Sequence, residues 1–424
     1  MRIEIICTGD EILTGKTVNT NFSHISKKLE EAGLSVRWGT TVGDDRDTLL
    51  EAFRVAGARA DAVLVNGGLG PTVDDLSQEI AAQAAGAPLV MNAHWLERIA
   101  ALFRRHDLVM QANNRKQALL PATAQVIDNP IGSACGFELD IGRARFYFTP
   151  GVPKELYLML QSEIIPRLLA RSGTATISQV KRFHSFGLGE SHADSLLEGI
   201  GDLASGGGVK LGFQSHYPQL ETKLTLRGSD PVELRRRLEP IEAEVRRRLG
   251  NFIVAEDDDT LEGIILADLK RKTGSLSVVE TFTCGWIAAR LAQLPGADAV
   301  FRRGLVAHAE SDIEAMLALP GGTLSRTTLT EAAMQEAARA ALRATGASHS
   351  LVALAQRDTG ADPASRVPTF WFSIATGQQV TVRRSHVLRL GGDEWLRAGA
   401  VEMGLDCLRR FLQRLPVDEK NDFG

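Results

Sequence analysis

Apolar positions in the first 170 residues alternate between two periods. Ile3–Cys7 is a short apolar run of the kind a buried strand needs, and a glycine-containing turn follows it. Asn21–Ala32 carries Phe22, Ile25 and Leu29 at helical spacing. Val36–Val42 reads as extended, Thr48–Ala60 as helix, and Ala62–Val65 as a buried strand ending at Gly67-Gly68. Strand and helix in alternation predict a mostly parallel sheet covered by helices. Ligands in such folds bind beyond the carboxyl ends of the strands, where the glycine-rich turns after Cys7 and Asn66 fall.

A second segment reads extended over Lys181–Phe186, helical over Ser191–Ile200 and extended over Val209–Phe213 and Glu221–Leu226. A long charged helix over Pro231–Leu249 closes it. Ala204–Gly208 (ASGGG) is a loop, and Glu256–Asp259 is an acidic linker. The interleaved Arg and Glu of Glu233–Arg248 are the i,i+4 pairs of a solvated helix face. The third segment, Leu261–Arg414, is again α/β. It reads as helix Leu261–Lys272, strand Leu276–Val279, turn Glu280–Gly285 and helix Trp286–Leu294, then helix Thr330–Thr345, strands Leu351–Leu354 and Thr369–Ile374, and helix Glu394–Arg414. No internal repeat links the two α/β segments.

With 44% hydrophobic and 24% charged residues over 424 positions, the chain has the profile of a globular protein of two to four domains. Its formal net charge of −4 argues against dedicated nucleic-acid binding. Cys7, Cys135, Cys284 and Cys407 have neither CxxC spacing nor paired histidines, so a reducing cytoplasm is expected, with no structural zinc or disulfide. No apolar run suits a signal peptide or a membrane span.

Four polar, Gly- or Pro-rich loops carry the candidate chemistry of the first segment: Thr8–Gly15, Asn66–Asp75, Asp128–Phe137 and Thr149–Leu156. Glycine at a strand end lets backbone N–H groups approach an anion closely. In the second loop Thr72 is placed to cap the next helix, whose N-terminus favours a phosphate. Asp74 and Asp75 lie just beyond, and Glu11 and Asp44 follow other strand ends. Carboxylates repel phosphate, so they belong in such a site only if a divalent cation stands between. Mg²⁺ takes one or two carboxylates together with substrate oxygens and water. One such loop alone is ordinarily only a turn; four in one α/β segment point to a site.

These loops, with Asn19-Thr20-Asn21, Val42-Gly43-Asp44 and Asn113–Gln117, resemble the CinA family (competence/damage-inducible protein A). The resemblance implies an α/β chain of three domains. They are a molybdopterin-binding-like domain over 1–172 with a parallel or mixed sheet and flanking helices, a small KH-like α+β domain over 177–256, and an amidase-like α/β domain over 260–416. The middle one is similar through Phe186–Ser191, without a basic GxxG loop that would clamp RNA. In the first domain the resemblance implies a Mg²⁺-dependent pyrophosphatase acting on ADP-ribose, with a monovalent cation as an optional companion. Asp44, Asp74, Asp75 and Glu11 become the catalytic candidates, with Asp44 and Asp75 holding metal. Gly9, Asn19, Gly67, Gly68, Gly70, Thr72, Asn129, Gly132, Ser133, Gly136, Gly151 and Glu155 become the substrate-binding candidates. Pro150 and Pro153 also match the family pattern. Asp10 departs from CinA proteins and agrees with the molybdopterin relatives, so dinucleotide and pterin both stay open as ligand. A non-catalytic binding module stays open too. The implied partners are a small nucleotide and a second copy of the chain, with no nucleic acid and no membrane.

For the third domain the resemblance implies an amidase converting nicotinamide mononucleotide to the nicotinate form. Its motif AESCTGG reads Val279-Glu280-Thr281-Phe282-Thr283-Cys284-Gly285 here. Glu280 and Thr283 match, while Thr281, Phe282 and Cys284 replace serine, cysteine and glycine. His308–Ile313 replaces the second motif, and Gln356–Gly360 stands near the third. Pro295-Gly296, Phe301, Gly304 and Arg397 are retained. No lysine occurs between Lys272 and Lys420, so the expected base is missing. The expectation is a degenerate site at Glu280, Thr281, Thr283 and His308; the alternative is an amidase working through Thr281 with His308 as base. Cys284 is a weaker candidate nucleophile.

Overall fold

The computed structural model describes residues 1–173, 177–203, 208–325, 327–356, 368–386, 392–420 and 422. Ala204–Gly208 falls largely, and the motif after Gln356 entirely, outside the described residues. The chain divides into two compact units, Met1–Gln179 with Arg227–Val232, and Val180–Leu226 with Glu233–Gly424.

The first unit is built on strands β1 (Ile3–Thr8), β2 (Val36–Val42) and β3 (Ala62–Asn66), a two-stranded ladder of β4 (Leu89–Met91) and β5 (Leu119–Pro121), and then β6 (Gln125–Ile127), β7 (Gly136–Ile141) and β8 (Ala144–Thr149). The six-stranded sheet runs β2-β1-β3-β8-β7-β6. Strands β2, β1, β3 and β8 are parallel, and β7 is antiparallel to β8. Every residue of β1 and β3 is buried, as expected of strands covered on both faces. Its longer helices are α2 (Thr20–Glu31), α3 (Arg46–Arg59), α4 (Ser77–Ala85), α5 (Ala93–Arg105) and α7 (Ile165–Ser172), with short α1 (Asp10–Leu13) and α6 (Pro153–Met159). One face packs Leu49, Phe53, Ile80, Trp95, Phe137, Phe146 and Phe148; the other packs Ile25, Leu29, Leu156, Met159, Leu160 and Leu168.

In the second unit, β9 (Ile177–Phe186), α8 (Glu190–Leu196), β10 (Lys210–His216), β11 (Gln219–Gly228), α9 (Pro231–Leu249) and β12 (Ile253–Glu256) form a small α+β layer with strand order β10-β11-β9-β12. The predicted helix Ser191–Ile200 stops at Leu196, and a short 3₁₀ turn takes its place at Ile200–Leu203. Next come α10 (Leu261–Arg271), β13 (Leu276–Glu280), α11 (Trp286–Ala292), β14 (Phe301–Val306), α12 (Glu310–Met316), α13 (Glu331–Thr345), β15 (His349–Gln356), β16 (Thr369–Thr376), β17 (Val380–His386) and α14 (Asp393–Gln413). The five-stranded sheet runs β14-β13-β15-β16-β17, parallel over its first three strands and antiparallel beyond. Helix α14 buries even its charges: Asp406 bridges Arg409 and Arg410 at 2.6 and 2.7 Å. Among the described residues no helix is long and apolar enough to cross a membrane.

Candidate functional site

Sheet direction gathers the four loops. Strands β1, β2, β3 and β8 are parallel, so Thr8, Val42, Asn66 and Thr149 all end at one edge. Strand β7 runs the other way, which brings the loop before it, Asp128–Cys135, to the same edge. A cleft of about 500 Å³ opens there, lined by Thr8, Gly9, Glu11, Asp44, Gly67–Asp75 except Val73, Gln117, Ser133, Ala134, Pro150–Val152 and Glu155.

Side chains lock the loops in place. Buried Asn66 donates from Nδ2 to Thr149 Oγ1 (3.2 Å) and to the Pro150 carbonyl (2.7 Å), and its Oδ1 accepts from Asn21 Nδ2 (2.9 Å). Asn21 also donates to the Gly151 carbonyl at 2.8 Å. Gly67 and Gly68 have φ of 110° and 70°, a left-handed pair suited to glycine. Ser77 fixes the pair by donating from Oγ to the Gly67 carbonyl at 2.9 Å. In this conformation the N–H groups of Gly68, Leu69 and Gly70 donate to no group among the described residues. Such unclaimed N–H groups on a turning backbone form an anion-binding concavity.

The cleft wall carries five carboxylates, Glu11, Asp44, Asp74, Asp75 and Glu155, and no Lys, Arg or His. Asp44 and Asp10 clasp each other through the backbone: Asp10 N–H donates to Asp44 Oδ2 (3.3 Å) and Asp44 N–H to Asp10 Oδ1 (3.2 Å). Burial holds the Asp44 carboxyl above the usual aspartate range, and the negative charges of Asp10, Glu11 and Asp74 push the same way. Burial also raises the Glu155 carboxyl, against the Asn129 Nδ2 donor at 2.7 Å. Two buried polar atoms in the wall, Thr8 Oγ1 and Gln117 Oε1, have no hydrogen-bond partner. An acidic wall beside free N–H donors suits a divalent cation with a phosphate. Among the described residues no three His, Cys, Asp or Glu side chains are arranged to hold a metal alone. A cation held at this wall would need oxygen ligands from outside the protein as well, as Mg²⁺ commonly takes.

The predicted residues fall into three groups. Glu11, Asp44, Asp74, Asp75, Gly9, Gly67, Gly68, Gly70, Thr72, Ser133, Gly151 and Glu155 all line the cleft. Asn129 and Gly132 stand behind it: Asn129 donates to the Ala134 carbonyl (2.7 Å) and accepts from Gly132 N–H (3.1 Å), so it shapes the third loop. Asn19 and Gly136 lie outside the lining. Asn19 caps α2 by accepting from Phe22 N–H, and Gly136 opens β7 against Met159 and Phe148. Thr72 does not cap a helix, contrary to expectation, because α4 begins only at Ser77. Its N–H donates instead to Asp75 Oδ2 (2.8 Å), closing the loop on itself and engaging one Asp75 oxygen. Sequence reasoning missed Thr8, Asn21, Asn66, Ser77, Thr149 and Gln117 as individual site residues. For Thr8, Asn66 and Thr149 the available signal was a polar side chain at the end of a largely apolar strand.

The turn after β13 has a different character. Glu280 is fully buried, and its carboxylate accepts from Ile287 N–H (3.1 Å) and Ala288 N–H (2.9 Å), satisfying the first turn of α11. Burial raises its carboxyl, and these donors act against that. Thr281 is only 5% exposed, and its carbonyl accepts from Cys284 N–H at 3.1 Å. Thr283 is buried and Cys284 exposed, the latter at φ 52°. Parallel strand β14 puts His308, which is exposed, just beyond the same sheet end. Arg397 covers the turn: its Nε donates to the Phe282 carbonyl (3.2 Å), and its guanidinium lies 5.7 and 5.4 Å from the ring centres of Phe282 and Trp286. Buried Cys407 has its thiol pushed up to about 12, leaving it inert.

Three family models match consecutive stretches: a probable molybdopterin binding domain over residues 4–170, the KH domain of damage-inducible protein CinA over 180–255, and the CinA C-terminal domain over 258–412. A CinA-like protein of Shewanella sediminis is 36% identical over 417 residues, covering 97% of this chain and 96% of the relative. One from Shewanella amazonensis is 39% identical over 324 residues, covering 76% of this chain and 75% of the relative. A solved structure of the protein CinA from Thermoplasma acidophilum is 34% identical, covers 40% of this chain and 96% of its own, and superposes with a TM-score of 0.35. With three consecutive domain matches and a relative aligned end to end, the chain belongs to the family of CinA-like proteins.

Proposed function

We propose that the first unit hydrolyses a nucleotide diphosphate of the ADP-ribose type with Mg²⁺, and that the β13–α11 turn does not deamidate nicotinamide mononucleotide. The observation that carries the first part is the cleft wall, with unclaimed N–H groups of Gly68, Leu69 and Gly70 beside five carboxylates and no basic side chain. The N–H groups receive phosphate oxygens, and Ser133 supplies a further hydroxyl from the third loop. Asp44 and the second oxygen of Asp75 are the metal-holding groups in this reading. When bound, Mg²⁺ offsets the diphosphate charge and lowers the pKa of a bound water. Asp74, exposed at the rim, is the candidate base. A carboxylate there can accept a proton from an attacking water while the N–H groups keep the diphosphate in line.

The second part rests on satisfaction and access. The first N–H groups of α11, those of Ile287 and Ala288, donate to Glu280 and are not available to an oxyanion. The Thr281 side chain is buried, and Phe282, Trp286 and Arg397 close over the turn. The test measures two products from the full chain: AMP from ADP-ribose with and without Mg²⁺, and ammonia from nicotinamide mononucleotide. Mg²⁺-dependent AMP without ammonia is the expected result. Binding of ADP-ribose without AMP release would reduce the first unit to a binding module, and ammonia release abolished by Thr281→Ala would overturn the second part.

A further inference from the structure

Gln117 lies in the 3₁₀ turn Ala112–Ala118, is 3% exposed and lines the cleft. Its Nε2 donates to the Leu69 carbonyl at 3.4 Å, while its Oε1 has no partner. That carbonyl fixes the orientation of the carboxamide: turning it over would set two acceptor oxygens against each other. A buried acceptor without a donor is costly, and native proteins leave few of them. The missing donor cannot be phosphate, whose oxygens near neutral pH are themselves acceptors. Resting on the proposed diphosphate site, we infer that Gln117 is a specificity residue, and that its Oε1 accepts a hydrogen bond from an O–H or N–H on the organic part of the ligand. The cleft then selects a diphosphate carrying a hydroxylated or aminated group, such as a ribosyl unit, over bare pyrophosphate. Thr8 Oγ1, the second unpartnered polar atom of the wall, is a hydroxyl able to donate or accept, as a sugar hydroxyl requires of its neighbour.

The experiment compares wild type with Gln117→Met, which keeps length and volume but removes the acceptor. Two non-hydrolysable probes are titrated into the full chain with Mg²⁺: the methylene-bridged analogue of ADP-ribose, and methylenediphosphonate. Gln117→Met is expected to weaken the first about tenfold, the loss of one hydrogen bond, and to change the second less than twofold. Its melting temperature without ligand should change little, because the variant removes an unsatisfied acceptor together with the long 3.4 Å bond to the Leu69 carbonyl. An equal loss for both probes would make Gln117 a metal or loop-holding residue and overturn the inference. No loss for either would mean that water satisfies Oε1, and would overturn it equally. If wild type binds neither probe, the diphosphate reading fails and this inference falls with it. If wild type binds both alike and the variant is unchanged, only this inference falls.

Discussion

The strand ends at Thr8 and Asn66 and the strand end at Glu280 share one plan, a buried strand followed by a turn and a helix, yet they differ in what is left unpaired. In the first unit the turn after Asn66 keeps N–H groups without partners, and the cleft beside it holds two unpartnered buried polar atoms and five carboxylates. In the second unit Glu280 is drawn under its turn and takes the N–H groups of α11 for itself. Burial raises both Asp44 and Glu280. For Asp44 neighbouring negative charges add to the effect, and for Glu280 backbone donors oppose it. Where a buried carboxylate takes the helix N–H groups, as at Glu280, they are lost to a ligand; where the N–H groups stay unclaimed, as at Gly68–Gly70, they are open to one.

The largest effect that would test this contrast is on turnover. Asp74→Asn, which removes the proposed base, should lower Mg²⁺-dependent AMP release by roughly 10²–10⁴-fold. Asp44→Asn and Asp75→Asn should also lose turnover. Folding should be little changed, because the carboxamide oxygen introduced by Asp75→Asn can still accept from Thr72 N–H. Undiminished AMP release in all three at saturating Mg²⁺ would remove the carboxylates from the mechanism.

Next in size is stability at the other strand end. Glu280→Ala leaves two buried N–H groups without their acceptor and should cost about 1–3 kcal/mol in urea unfolding. Glu280→Gln, which keeps one acceptor oxygen, should recover part of it. AMP release by the first unit should be unaltered in both variants. An Ala variant as stable as wild type would show that the carboxylate does not stabilise this turn.

A smaller effect distinguishes the two raised carboxyls by pH. A folded-state pKa above the unfolded value means that the group's contribution is full below the ordinary 3.8 of aspartate and is lost as pH rises through the folded value. Mg²⁺ needs the ionised form of Asp44, so its binding should strengthen as pH rises through that value and should pull the Asp44 titration downward. Glu280, sealed in its turn, should titrate identically with and without Mg²⁺. Carboxyl NMR titration of both residues reads this, and a Mg²⁺-sensitive Glu280 would contradict the contrast. The smallest effect belongs to Thr281→Ala, which should leave ammonia release at the background level of wild type.

Much of the fold was legible because its signals are local. The apolar run Ile3–Cys7, the helical spacing of Phe22, Ile25 and Leu29, and the buried run ending at Gly67 each describe one element, and each element formed near its expected bounds. The four loops were legible as chemistry for the same reason, since glycine, proline and acidic residues at strand ends are visible without a partner. The expected cap at Thr72 failed because its hydroxyl donates to the Asp75 carboxylate instead of accepting from a helix N–H, and α4 begins only at Ser77. Asn21 and Gln117 carried no local mark, because their roles depend on Asn66 and Leu69, far away in sequence.

Sequence alone therefore determined the alternation of strands and helices, the polar loops that end the strands, and the absence of lysine between Lys272 and Lys420. Tertiary structure decided which of these loops meet. Parallel β1, β2, β3 and β8 with antiparallel β7 bring four distant loops to one edge, an outcome of strand order that no single segment encodes. It also decided which polar groups are spent on one another, as at Glu280, and which remain free for a ligand, as at Gly68–Gly70 and Gln117. The physical reason is that a hydrogen bond is satisfied by proximity in space, whereas the residue pattern fixes only proximity along the chain.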